Sequence, residues 1–122
     1  MDTHFGTFTV ETDQPLTGGG ESSAPTPFDV FLSSIGTCAG IYVLGFCNRR
    51  NLPTEGIRIV EHVHPNRATG MVDSIELEIQ VPPSFPKQYY SALVHSAELC
   101  KVKKTLEHLP QFEIVTREVK PV

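Results

Sequence analysis

The order and spacing of apolar residues predict an α+β domain, with two principal helices packed against antiparallel strands. Three observations carry this. Val30–Asn48 runs nineteen residues without a charge, Tyr89 to Leu109 repeats apolar side chains at helical spacing, and Met71–Val81 alternates between apolar and polar. A chain of 122 residues, 39% hydrophobic and 20% charged, has the size of one domain over 1–122. A core that small gains from dimerisation.

In chain order, Phe5–Thr12 alternates well enough to be a strand. Asp13 to Pro27 is a loop rich in Gly, Ser and Pro around Gly18-Gly19-Gly20. A phosphate cradle needs such a run to lead directly into a helix. Here several residues and two prolines intervene, so the reading is a flexible turn. Val30–Asn48 then approaches the length of a membrane span. Ser33, Ser34, Gly36, Thr37, Gly40, Gly45 and Asn48 dilute its hydrophobicity, and no second span follows. The expectation is a buried helix, apolar on every side, at the centre of a soluble fold. Thr26 or Asp29 suits its start, and Arg49-Arg50 its C-terminal dipole.

Gly56–Val63 and Met71–Val81 read as strands joined through the turn residues Asn66–Gly70, which makes a hairpin. Ile75, Leu77, Ile79 and Val81 mark the second strand's buried face. Pro82-Pro83 stops it, and Pro86 suits the first turn of the next helix. That helix carries Tyr89, Tyr90, Leu93, Val94, Ala97, Leu99, Val102, Leu106 and Leu109, with Cys100 as a point of bending. Gln111–Val119 is expected to close the domain as a last strand.

Charge narrows the function classes. A net charge of −4 and a sequence pI near 5.7 give no general attraction to nucleic acid or an anionic membrane. Three cysteines without regular spacing argue against a secreted disulfide framework. Met1-Asp2-Thr3-His4 does not open a signal peptide, so the expected compartment is the cytoplasm, where thiols start reduced. All ten basic residues fall in 49–122, and residues 1–48 carry five acids and no Lys or Arg. A cation serving Cys38 must therefore come from the second part of the chain or from a partner subunit.

His62 and His64 share one strand face, and Glu61, a cysteine or His95 could extend them into a ligand set. No CxxC or HExxH spacing supports a metal, and neither metal nor cofactor is expected. Ser-His-Asp order, a P-loop and aromatic RNA-binding motifs are absent.

Cys38 and Cys100 are the chemically informative residues, because each sits in an apolar, helix-like segment. If the two helices meet, one thiol can attack an oxidant and the other can resolve the product. Cys47, nine residues past Cys38, points to the opposite side of the helix and reads as core.

Gly18-Gly19-Gly20 followed by Ala24-Pro25-Thr26-Pro27-Phe28-Asp29 and the helix to Cys38 resembles the OsmC/Ohr family. Leu99-Cys100-Lys101-Val102 is similar to that family's second cysteine site, and the likeness covers residues 5–119. The resemblance implies an OsmC-like intertwined homodimer with two central helices backed by curved sheets. It also implies thiol-dependent reduction of organic hydroperoxides in oxidative-stress defence, with Cys38 attacking, Cys100 resolving and an external dithiol as reductant. The alternative from another class is a redox-silent protein that binds a small apolar ligand at the dimer interface.

This chain departs from the family pattern in several places. Its leading strands are shortened, and no arginine precedes Arg49 where the family uses one to hold the thiolate. Phe28 follows Pro27 where the family places a glutamate, with Asp29 one position later. Lys101 follows Cys100 where a proline is common. Candidate thiolate-tuning or pocket residues are Asp29, Tyr42, Arg49, Arg50 and Lys101, although core packing is the simpler expectation for Tyr42.

Overall fold

The structure is a computed structural model and describes residues 1–121. Its elements run β1 (Asp2–Phe5), β2 (Phe8–Glu11), α1 (Pro27–Arg49), β3 (Arg58–Pro65), β4 (Val72–Gln80), α2 (Tyr90–Glu98) and α3 (Lys101–Glu107). They form two separate two-stranded antiparallel sheets, β1-β2 and β3-β4, and a layer of three helices. This is the α+β class that the sequence predicts.

The segment expected as one strand, Phe5–Thr12, is instead half of a hairpin. β1 and β2 pair from Asp2↔Glu11 to Phe5↔Phe8 across a two-residue turn. Gly6 takes a φ of +60°, and Thr7 has no positive φ. That is the type II′ signature, in which glycine supplies the positive angle matching the strand twist. Reading the alternation straight through Gly6 missed the turn.

Nor is the glycine run a loose turn. The Asp13 carboxylate accepts hydrogen bonds from the N–H groups of Gln14, Glu21 and Ser23 and from the Ser23 hydroxyl, at 2.7–3.1 Å. The Ser23 hydroxyl and these amides hold that carboxyl well below the usual range. A Cβ on Gly20 would collide with the Gln14 carbonyl oxygen, so only glycine lets the loop close on Asp13.

α1 begins with a reciprocal capping box. Asp29 N–H donates to Thr26 Oγ1 at 3.1 Å, and Thr26 N–H donates to Asp29 Oδ2 at 3.4 Å. Pro27 occupies the first helical position, where its missing N–H costs nothing. At the far end Asn51, with a φ of +54°, reverses the chain, and Leu52 N–H returns to the Cys47 carbonyl at 2.9 Å.

Ile35, Ala39, Val43, Phe46 and Cys47 form the buried stripe of α1. Ala39 through Cys47 pack with Phe85, Leu93 and Ala97, and with Ile59, Leu77 and Ile79 from the inner face of β3-β4. Each large side chain buried here contributes roughly 1.5–3 kcal/mol. The expectation that α1 is buried on every side is corrected. Only 28% of its most apolar 18-residue stretch is buried, and Phe31, Ile41, Tyr42 and Leu44 remain exposed. The physical reason is supply: α2, α3 and one hairpin leave the side of this 23-residue helix around Ile41 uncovered.

β3 and β4 pair in register Ile59↔Ile79, Glu61↔Leu77 and Val63↔Ile75. The side chain of Asn66 organises the connecting turn by accepting from Ala68 and Thr69 N–H, and Gly70 closes it at a φ of +74°. After Phe85 and a 3-10 turn at Lys87–Tyr89, α2 buries Leu93, Ser96 and Ala97. Ser96 Oγ donates to the Tyr42 carbonyl at 3.4 Å, which ties α2 to α1. The expected bend falls at Cys100, whose extended backbone separates α2 from α3.

The expected closing strand, Gln111–Val119, is not formed. Phe112 is 86% exposed and Ile114 95% exposed. Among the described residues β3 and β4 bond only to each other, so each keeps an open edge, and 111–119 pairs with neither.

Candidate functional site

Cys38 lies in the middle of α1, and Cys100 lies in the break between α2 and α3, so the site is built where α1 meets that break. Both are free thiols; Cys38 is half-buried and Cys100 fully buried. The fold brings these sulfurs together across 62 positions of sequence. Burial pushes the Cys100 thiol up, the Lys103 N–H pulls it down, and the neighbouring Cys38 sulfur pushes it up again.

The break explains the local chemistry of Cys100. Its φ of −62° and ψ of 140° make it the N-cap of α3, and its Sγ accepts the Lys103 N–H at 3.3 Å. A thiol here replaces the usual hydroxyl or carboxylate cap. The sequence offers Lys103, with Lys101 and Lys104, only as a charged side chain near Cys100 that reads first as a solvent-facing patch; the main-chain contact goes unseen because cysteine is not a customary cap. The cap-to-third-residue spacing, Cys100 to Lys103, was the available signal. The Lys103 ammonium itself pairs with Glu107 one turn on.

The other candidates divide sharply. Tyr42, one turn past Cys38, is not in the core. It lines an open groove of about 470 Å³ with Leu99, Lys101, Lys104, Thr105 and His108. Lys101 follows Cys100 in the chain and lines this groove, whose walls include neither cysteine. Asp29 is occupied in the capping box, nine residues or about 13 Å of helix from Cys38. Arg49 and Arg50 lie eleven and twelve residues beyond Cys38, about 16–18 Å along the axis. The Arg49 guanidinium covers Gly45, and that of Arg50 stacks on the Phe46 ring at 3.9 Å. Within the chain, none of these three reaches the thiols.

Cys47 is buried as expected, and burial pushes its thiol up. It borders a second cavity of about 430 Å³ between α1 and β3, lined by Gly36, Gly40, Leu44, Ile57 and Glu61 among others. Glu61 points inward, and its Oε2 is buried without a hydrogen-bond partner. Burial pushes that carboxyl up. Gly36 makes room for it, since a Cβ there would lie 3.4 Å from Glu61 Oε1. At 100° per residue, Gly40 stands about 200° around α1 from Cys38, so cavity and thiol pair occupy opposite sides of one helix.

The strand alternation also corrects the histidine grouping. Glu61 is on the inner face, so it cannot join His62. On the outer face His62 Nε2 meets Glu78 at 3.2 Å and Glu76 at 3.9 Å. The three donor atoms lie within 4.8 Å of one another, but the side chains are solvent-facing and pair among themselves.

Comparisons with known proteins agree with this architecture. A structure from Psychrobacter arcticus 273-4, named for an osmotic stress induced and detoxification response, superposes with a TM-score of 0.68. It is 16% identical, and the match covers 80% of this chain and 72% of that one. A Legionella pneumophila protein described as organic hydroperoxide resistance protein OsmC gives a TM-score of 0.52 at 19% identity, covering 83% and 75%. At these identities the likeness is one of fold. No curated protein sequence matches the chain. The sequence profile of OsmC-like proteins matches residues 18–115, which span the glycine run, both cysteine positions and α1 to α3, and the chain belongs to that family.

Proposed function

We propose that the protein is a thiol-dependent peroxidase that reduces organic hydroperoxides, with Cys38 attacking and Cys100 resolving. The supporting observation is the pairing of a half-buried thiol with a fully buried one at the meeting of α1 and α3. The Cys38 thiolate attacks the distal peroxide oxygen, the O–O bond breaks, and the alcohol leaves after protonation. Cys38 becomes a sulfenic acid. The Cys100 sulfur then bonds to Cys38 Sγ, water departs, and a disulfide remains. An external dithiol restores both thiols by exchange.

The family's arginine–glutamate pair has no counterpart in 1–48. On this reading Lys101 and Lys104, in the groove with Tyr42, provide the positive field, and a second copy completes the site. The homodimer is part of the proposal. The bare apolar face of α1 and the uncovered apolar residues of 109–119 give a second copy surface to cover. A cytoplasmic location, where a dithiol pool keeps the pair reduced, also belongs to it. The fold is that of a soluble OsmC-like domain, in which α1 is the core helix.

Turnover of cumene hydroperoxide with dithiothreitol, compared among wild type, Cys38→Ser and Cys100→Ser, tests this. Cys38→Ser is expected to abolish turnover, and Cys100→Ser to stop it after sulfenic acid formation. Turnover that survives Cys38→Ser sinks the mechanism. The second reading, a redox-silent binder of a small apolar ligand at a dimer interface, draws on the cavity between α1 and β3. It predicts saturable binding of an apolar fluorescent probe by wild type with no loss of free thiols under peroxide.

A further inference from the structure

The two sulfurs differ in what surrounds them. Cys38 is half-buried, whereas Cys100 has no exposed surface and takes a hydrogen bond from the Lys103 main-chain N–H at 3.3 Å. A bridge between them therefore offers one sulfur to solvent and keeps the other inside. Exchange is directional: the incoming thiolate attacks one sulfur, and the other departs with the electron pair. Attack on Cys100 would require the incoming sulfur to enter a closed core. Departure of Cys100 requires a donor for the thiolate that appears there. The Lys103 ammonium is held by Glu107, which leaves the amide of that residue as the donor in place.

We propose that the Lys103 main-chain N–H is a positioning group for the reductive half-reaction, receiving Cys100 as the leaving thiolate when an external dithiol attacks Cys38 Sγ. The inference rests on the two-cysteine reading above. In the first step the dithiol's sulfur bonds to Cys38, the Cys38–Cys100 bond breaks, and its electron pair stays on Cys100. The dithiol's second thiolate then closes on its own first sulfur and releases Cys38. Two electrons pass from dithiol to protein, and two protons follow. Burial opposes a thiolate at Cys100 and the Lys103 N–H offsets part of that opposition. Without that donor, a buried thiolate forms unsolvated and the step slows.

Lys103 is the third residue of α3, a position whose N–H has no intrahelical partner. Lys103→Pro thus deletes this donor together with the ammonium that pairs with Glu107, and proline is tolerated in a first turn. Lys103→Ala deletes the ammonium and keeps the amide. Each protein is oxidised with diamide, which forms the bridge whether or not peroxide does, and reopening by dithiothreitol is followed by stopped flow. Wild type and Lys103→Ala are expected to reopen within about twofold of each other, and Lys103→Pro about tenfold more slowly, the loss of one hydrogen bond to a charged group. Sulfenic acid formation at Cys38 should be unchanged in Lys103→Pro. Acid-quenched 2-mercaptoethanol adducts of oxidised wild type, mapped by peptide mass, are expected on Cys38. Adducts on Cys100, or wild-type reopening by Lys103→Pro, overturn the proposal. Adduct mapping needs no variant, so it decides the matter even if Lys103→Pro does not fold. A bridge that forms with diamide but never with hydroperoxide defeats the peroxidase reading while leaving this one standing.

Discussion

Glu61 allows a measurement whose sign follows from the fold. Its Oε2 is buried with no hydrogen-bond donor, and burial raises the carboxyl above its ordinary value of 4.5. Between 4.5 and the raised value, the native state keeps a proton that the unfolded state has released. Stability contributed by this group therefore falls as pH rises through that window, and the full penalty persists above it. Asp13, Glu78 and Glu107 act in the opposite sense. The Ser23 hydroxyl, the Gln80 amide and the Lys103 ammonium respectively hold these carboxyls below their ordinary values, so their contribution is lost on acidification. Comparing wild type with Glu61→Leu cancels those shared terms. An unsatisfied buried polar atom costs about 1–3 kcal/mol, and a leucine also fills apolar space between α1 and β3. Urea denaturation should find Glu61→Leu more stable than wild type by about 1–3 kcal/mol at pH 7.5, with the gap narrowing toward pH 4.5. A gap that is absent, or constant across that range, refutes the assignment of Glu61 as an uncompensated carboxylate.

Three further outcomes follow from particular contacts. Thr26→Ala removes the acceptor of the α1 capping box and should cost about 1 kcal/mol, read as a fall in Tm of about 4 °C. Gly20→Ala places a Cβ against the Gln14 carbonyl oxygen, so limited proteolysis should cut 13–26 faster while α1 keeps its circular dichroism. Ile41→Lys puts a charge on the bare face of α1, where Ile41 is 67% exposed in the single chain. It should leave the monomer's fold intact and shift light scattering from dimer to monomer; an unchanged mass would place any dimer contact elsewhere.

What was legible in the sequence was whatever local periodicity determines. The Ile75–Leu77–Ile79 alternation of β4, the Thr26 start of α1 and the bend at Cys100 all emerge from spacing and capping alone. The failures share a cause, which is that a residue's pattern does not say what stands opposite it. Phe5–Thr12 alternates whether or not the chain reverses at Gly6, and Gln111–Val119 has strand composition but pairs with no strand of its own chain among the described residues. The resemblance to the OsmC family named both cysteines, but the hydrogen bond that distinguishes them was hidden. Lysine at 103 reads as surface charge, and its contribution to the site is a main-chain amide that any residue but proline would supply. Glu61 was hidden for a related reason: its inward direction depends on the register of β3 against β4, one residue from the outward-facing His62.

The uncharged run 30–48 of α1 now has a reading that a simple core helix does not provide. Around its axis, at 100° per residue, the buried stripe of Ala39, Val43 and Phe46 occupies one flank, Cys38 a second, and the Gly36–Gly40 wall of the Glu61 cavity a third. Ile41 falls between the last two, about 60° from Cys38 and about 100° from Gly40. A charge on any flank would be stranded in the core, beside the thiol pair, in the cavity wall, or under whatever covers Ile41. The same geometry constrains a dimer. A second copy seated on the Ile41 face would border the thiols on one side and the Glu61 cavity on the other. It could thus deliver to Cys38 the cation that residues 1–48 do not contain, and to Glu61 the donor that its own chain withholds.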